Sequence, residues 1–291
     1  MKLLVLGKKN TFECLRILEE ARNVGVDASF SEISNLMFVN EENLSVWIGE
    51  ENILVYNAVL FRGLGKSFHL AKSLAQFLFS KGKIVIDEKL ANTNYIPDKT
   101  LTMVLCAIHG LPYARTIQIF NKQDITHVQG KLTFPIIAKN IVSSQGRGVF
   151  LIEDFQKLKE FFEQQDRIEN FILQQQLRRH AEDYRVFVVG GKALGVMKKT
   201  AKTGEYRSNV SQGGKTEMVI DSEIQNLGVK AAQLTNTEIA GVDIMLDEAD
   251  NPYILEINRA PQFQGFEKIS GMNIAKEIVW HCTYRYQQNT K

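Results

Sequence analysis

The first third of the chain alternates short apolar runs with amphipathic stretches, and that alternation restricts the available folds more than any other feature. Lys2–Gly7 is an apolar run of strand length, and Thr11–Val24 places Phe12, Leu15, Ile17, Leu18 and Ala21 near helical spacing. Strand-like Ile53–Phe61, helical Leu70–Lys81 and strand-like Lys83–Asp87 follow. A strand, a helix and a second strand in series close most simply as a crossover between parallel neighbours. The expectation is a small parallel α/β domain ending at residue 93, with Asn92–Pro97 as linker.

Beyond that point the alternation stops. Lys99–Gly110 is helical in pattern, Thr133–Glu153 reads as two strands joined by the polar loop Val142–Val149, and Phe155–Gln165 reads as a helix. Short strand-like runs then dominate at Phe171–Leu177, Tyr184–Val189, Ala193–Lys198, Gly241–Leu246 and Tyr253–Ile257, with helices expected at Ser222–Asn236 and near the C-terminus. This is the signature of an α+β unit with antiparallel strands. At 291 residues there is length for two domains or one large unit, and 44% hydrophobic with 23% charged residues excludes disorder as the main state.

Thirty-five Lys and Arg against 33 Asp and Glu leave a charge of only +2, too little for generic binding to nucleic acid or an acidic membrane. Cys14, Cys106 and Cys282 are odd in number and lack a CxxC spacing, so neither a disulfide framework nor a thiolate metal site is expected, and all three read as core thiols. The opening apolar run is too short for a signal-peptide core, and no segment approaches the ~18 apolar residues of a membrane span. The expected setting is the reducing cytoplasm.

Three stretches carry chemistry. Ser143–Gly148 is a Ser/Gly loop between two expected strands, just after Lys139. Its glycines let successive N–H groups approach an anion, and Lys139 adds a fixed charge. Taken alone it fits an ordinary hairpin turn as well, and it is not a Walker A loop. In Tyr253–Asn258, Glu256 and Asn258 are two apart on a strand and share a face, and the turn Asp247–Pro252 brings Asp243 back towards them. Three oxygen donors on an apolar platform suit a hard cation, whereas an unpartnered charge there would be costly. Met197–Gly214 concentrates cationic and amide groups, suited to a transferring phosphate or to a solvated basic loop.

In order, these stretches resemble the ATP-grasp superfamily and, more narrowly, the RimK-type amino-acid ligases, over about residues 95–270. The resemblance implies a small parallel pre-ATP-grasp domain (1–93) followed by a two-lobed ATP-grasp unit. Its central lobe with a Gly-rich lid spans 94–177, and its C-terminal lobe with a magnesium site spans 178–291. Lys99 in Pro97-Asp-Lys and Lys139 look like the two phosphate-reaching lysines, and Ser144, Gln145, Gly146 and Gly148 like the loop over ATP. Gln174, Gln175, Gln176 and Leu177 fall at the adenine hinge, where Gln175 replaces the usual glutamate and leaves base recognition to an amide or the backbone. Asp183 corresponds to the ribose contact, and Lys198 joins the nucleotide set. Glu205-Tyr-Arg-Ser-Asn209 with Gly213-Gly214 resembles the family's Phe-Arg-Ser-Asn … Gly-Gly loop, which makes Arg207 and Asn209 catalytic, and Asp243, Glu256 and Asn258 are the implied magnesium ligands.

The activity so implied is ATP-dependent joining of an amine to a carboxylate through an acylphosphate, using ATP with Mg2+, or Mn2+ in its place. The substrates would be an amino acid and a carboxylate-bearing peptide, protein tail or small molecule, with no nucleic acid or membrane partner and with a homo-oligomer left open. Arg185 and Arg259 are expected to line the acceptor site, because guanidinium groups bind carboxylates bidentately and Arg259 stands where the family carries a small residue. Arg62 is open between reaching the cleft and capping its strand. The alternative is a non-catalytic ATP-binding regulatory protein on the same fold, against which the intact Lys99, Lys139, Asp243, Glu256 and Asn258 argue. A dinucleotide oxidoreductase is rejected because Gly7-Lys-Lys-Asn10 lacks the GxGxxG loop, and an RNA-binding protein has only scattered lysines in its favour.

Overall fold

The computed structural model describes residues 1–91, 99–141, 148–177, 182–200 and 214–290. In chain order the first part contains β1 (Lys2–Gly7), α1 (Phe12–Asn23), β2 (Asp27–Glu32), β3 (Leu36–Asn40), β4 (Leu44–Ile48), β5 (Glu51–Asn52), β6 (Ala58–Arg62), α2 (Phe68–Ser80) and β7 (Ile84–Ile86). Strands β2-β1-β6-β7 form one parallel sheet. β1 is buried on both faces, which is why it reads as a continuous apolar run. Leu3 and Val5 pack with Cys14, Ile17 and Ala21 of α1, while Leu4 and Leu6 pack with Ala71, Leu74 and Leu78 of α2. Thr11 starts α1 by accepting the Cys14 N–H at 3.4 Å. The antiparallel meander β3-β4-β5 between β2 and β6 was not foreseen from the sequence.

The second part holds α3 (Lys99–Ile108), β8 (Thr116–Gln118), β9 (Ile136–Asn140), β10 (Val149–Ile152), α4 (Phe155–Glu163) and β11 (Phe171–Gln175). Their antiparallel sheet runs β10-β9-β11-β8. Ile136 and Ala138 of β9 and Phe171 and Leu173 of β11 face a core closed by Leu158 and Phe162 of α4. The strand period of two therefore turns Ile137 and Lys139, and on β11 Ile172 and Gln174, to the opposite face.

The third part holds β12 (Glu182–Val189), β13 (Lys192–Thr200), β14 (Lys215–Val219), α5 (Ser222–Leu234), β15 (Ile239–Leu246), β16 (Pro252–Asn258), α6 (Gln264–Ser270) and α7 (Ile274–Asn289). The sheet order is β14-β13-β12-β15-β16, all antiparallel. Val186, Val188, Ala240 and Val242 on one face pack under α5. On the other, Phe187 and Met197 join Phe263, Phe266, Ile278 and Val279, and this cluster is continuous with Leu3 and Val5 of β1. The last two helices thus pack the C-terminal part against the first sheet, so one core spans the expected division at residue 93. Cys14, Cys106 and Cys282 are free and buried, and among the described residues no helix is long and apolar enough to cross a membrane.

A close helix-to-sheet approach yields a test. A Cβ on Gly228, in the middle of α5, would lie 2.6 Å from Val186 Cβ and 2.7 Å from both of its Cγ atoms. Alanine gains about 1 kcal/mol over glycine in a helix, but overpacking a dense interface costs about 1–3 kcal/mol. Gly228→Ala is therefore expected to lower the urea midpoint. A raised midpoint would show that α5 does not press on β12 as described.

Candidate active site

Two polar surfaces emerge from the strand alternation. On the central sheet, Lys139 Nζ donates to Gln174 Oε1, and Gln174 Nε2 donates to Thr116 Oγ1 at 3.1 Å. Gln174 is almost fully buried, so this chain fixes the lysine in one direction. Desolvation pushes the Lys139 ammonium down to about 8, with Lys99 adding to the fall and Glu256 and Asp243 opposing it. The first turn of α3 is tied to the same sheet, since Thr100 Oγ1 donates to Gln118 Oε1 at 2.7 Å. Lys99, next to that anchor, lies 3.5 Å from Glu256 Oε1.

On the C-terminal sheet the register places Arg185 opposite Asp243, Asp183 opposite Lys199, and Asp243 opposite Glu256. Arg185 grips Asp243 bidentately, Nε to Oδ1 and Nη2 to Oδ2, both at 2.7 Å. Asn258 Nδ2 donates to Asp243 Oδ2 at 3.0 Å, and Lys199 Nζ lies 3.7 Å from Oδ1. Burial alone would raise the Asp243 carboxyl, but Arg185 and Lys199 outweigh it and hold it below the usual range; the same contact raises Arg185 against its own desolvation. Lys199 Nζ also donates to Asp183 Oδ2 at 2.7 Å, while Asp183 Oδ1 is buried and has no partner among the described residues.

The structure brings Lys99, Lys139, Asp243, Glu256 and Asn258 into this electrostatic cluster. Their donor set of two carboxylates and one amide suits a hard cation, with the apolar neighbours Val242 and Ile257 behind it. Among the described residues no three His, Cys, Asp or Glu side chains form a ready metal cage.

Several expectations need correction. Lys198 is on the other face: it lies 3.1 Å from Glu182 Oε1 and over the Tyr184 ring, and Lys199 occupies the site face instead. The two neighbouring lysines cannot share a face, and pairing with β12 decides which one enters. Gln175 does not hold out its amide at the hinge, because Oε1 accepts from Thr133 N at 2.9 Å and Nε2 donates to Thr133 O at 2.7 Å. Arg185 is engaged with Asp243, and Arg259 donates to Asp87 Oδ2 at 2.6 Å and to Thr235 O at 2.7 Å, so neither guanidinium is presented to an acceptor as expected. Arg62 neither opens to the cleft nor simply caps its strand; it donates to Pro261 O at 2.8 Å. Ser144, Gln145, Gly146, Arg207 and Asn209 lie outside the described residues; Gly148, at the loop's end, is buried and accepts from Asn140 N at 2.7 Å. A cavity of about 480 Å³ lies beside the hinge, lined by Tyr113, Arg115, Gln175, Gln176, Leu177, Asp247, Glu248, Ala249 and Tyr253.

Comparison with known proteins supplies the family. The model of the RimK-like ATP-grasp domain matches residues 96–281. A probable alpha-L-glutamate ligase of Serratia proteamaculans is 30% identical over 98% of this chain and 96% of its own length. A ribosomal protein bS6–L-glutamate ligase of Salmonella schwarzengrund is 29% identical over 96% and 94%. The ATP-grasp ligase PsnB, solved with a phosphomimetic variant of its minimal precursor, Mg and ADP, superposes with a TM-score of 0.74 over 98% of both chains at 18% identity, a likeness of fold. The expected ATP-grasp fold and carbon–nitrogen ligase class agree with these findings, and the chain belongs to the RimK-like ATP-grasp family.

Proposed function

We propose that this chain joins the amine of an amino acid to a carboxylate at the expense of ATP, forming ADP and phosphate. The observation that carries the reading is the joint placement of Lys99 and Lys139 with Asp243, Glu256 and Asn258, supplied by the start of α3 and by two different sheets. An acceptor carboxylate oxygen attacks the γ-phosphorus, ADP leaves, and the amine nitrogen then attacks the acyl carbon, losing a proton as phosphate departs. Such transfer asks for positioning and charge neutralisation and needs no side-chain nucleophile. Lys139 and Lys99 offset phosphate charge, and Asp183 Oδ1, buried and with no partner among the described residues, offers an acceptor to a ribose hydroxyl. Magnesium, or manganese in its place, would be held by Asp243, Glu256 and Asn258 and would make the γ-phosphorus more electrophilic. The hinge cavity takes the adenine, and since the Gln175 amide is engaged with Thr133, base recognition falls to the hinge backbone. Arg207 and Asn209 keep the roles at the transferring phosphate that the family resemblance gives them. The relatives named for glutamate addition, one of them on ribosomal protein bS6, and PsnB with its precursor favour a peptide or protein end as acceptor. A reducing cytoplasm suits the three free thiols.

The test is a matrix of amino acids and carboxylate-bearing peptides screened for phosphate release, with mass spectrometry of the products. One pair should give stoichiometric amide and ADP, and Glu256→Gln should fold normally yet lose most of that turnover, on the order of 100-fold, because an amide cannot match the charge of a carboxylate ligand. Turnover of Glu256→Gln at the wild-type rate would contradict the assignment. Lys139 adds a pH test. Its ammonium is depressed to about 8 in the free protein, and polyphosphate at hand favours the charged form, so the complex binds more protons than the free protein above that pH. ATP affinity should fall as pH rises through 8, with proton uptake visible as buffer-dependent binding heat and absent in Lys139→Met. Affinity that is flat from pH 7 to 9.5 would place Lys139 away from the phosphates.

A further inference from the structure

Directly after Asn258 the chain runs as a strap, Arg259-Ala-Pro-Gln-Phe263, across the carboxyl ends of the first sheet's strands. Its two ends are gripped by residues from that sheet. Asp87, immediately after β7 and only 5% exposed, accepts from Arg259 Nη1 at 2.6 Å and from Glu238 N at 2.6 Å. Arg62, the last residue of β6 and equally buried, donates Nη2 to Pro261 O at 2.8 Å and lies 5.9 Å from the ring of Phe263, which is itself fully buried. From below, the strap rests on β15. Gly241 stands opposite Asn258 in register, and a Cβ there would sit 2.7 Å from Pro261 Cβ.

A buried arginine and a buried aspartate from one domain therefore clamp five residues that begin one peptide bond after an oxygen donor of the other. We infer that Arg62 and Asp87 are positioning residues that hold the strap and thereby aim Asn258 at the metal, so that the first domain sets part of the metal site it does not itself contribute to. The inference rests on the proposed metal role of Asn258. It accounts for the arginine at position 259, which has the reach and the fork geometry to bond Asp87 and the Thr235 carbonyl together, as a small residue could not.

The experiment titrates Mn2+ into the full-length protein saturated with ADP and follows bound metal by electron paramagnetic resonance, with a melting curve for each variant. Asp87→Asn and Arg62→Lys are expected to weaken Mn2+ binding about tenfold or more while ADP affinity measured in EDTA stays within about twofold, the size of coupling seen between residues in contact. In an Asn258→Ala background the same substitutions should cause no further loss. Arg62→Lys keeps the charge and one hydrogen bond, so it serves where Asp87→Asn does not fold. Wild-type Mn2+ affinity in folded variants, or an equal loss in the Asn258→Ala background, overturns the inference and assigns the clamp to general stability. Absence of protein-held Mn2+ in the wild type would instead overturn the metal reading of Asp243, Glu256 and Asn258, and the inference with it.

Discussion

The Asp243 carboxylate is the contact on which the rest of the site depends. It is held by a bidentate arginine, an amide and a nearby lysine, in a strand whose neighbours Val242 and Ile244 are fully buried. A carboxylate desolvated to that degree survives ionised only with such partners, since an isolated charge there would cost far more than a surface ion pair returns. The same partners would favour, under the proposed function, a metal that comes with phosphate. Arg185 and Lys199 already neutralise Asp243, and Glu256 lies beside Lys99, so a bare cation finds little unspent negative charge, whereas a triphosphate brings both ligands and charge.

The architecture follows from placing that carboxylate between two sheets. One face of the central sheet presents Lys139 through a buried glutamine relay, and one face of the C-terminal sheet presents Asp183, Arg185, Lys199 and Asp243. The opposite faces are consumed by helix packing, under α4 in one case and α5 in the other. Residues 171–177 lead out of the central sheet towards β12, so a change of angle there would alter the separation of cation and metal donors without disturbing either core. The first sheet takes part through the shared core with α6 and α7 and through the Arg62 and Asp87 clamp.

What could be read from the sequence was local in period. Glu256 and Asn258 two apart, Asp243 across a short turn and Lys139 in an apolar strand all follow from strand alternation, and the family motifs put them in order. Which of the adjacent Lys198 and Lys199 enters the site is not legible locally, because the face each takes depends on antiparallel pairing with β12 across a register shift between Phe187 and Val188. The meander β3-β4-β5 and strand β14 escaped because short half-exposed strands such as Lys215–Val219 carry no continuous apolar run. The partners of Arg259 and Arg62 escaped for another reason: Asp87 is 172 residues from the first and Pro261 is 199 from the second, and no local pattern encodes such contacts.

The central claim is that metal and nucleotide complete one site together. Isothermal titration of Mg2+ into the protein alone, and then into the protein saturated with a non-hydrolysable ATP analogue, tests it most directly. The account predicts no binding tighter than millimolar without nucleotide, and binding at least tenfold tighter with it that disappears in Asp243→Asn. Tight Mg2+ binding to the nucleotide-free protein, or nucleotide-dependent binding that survives Asp243→Asn, would contradict it.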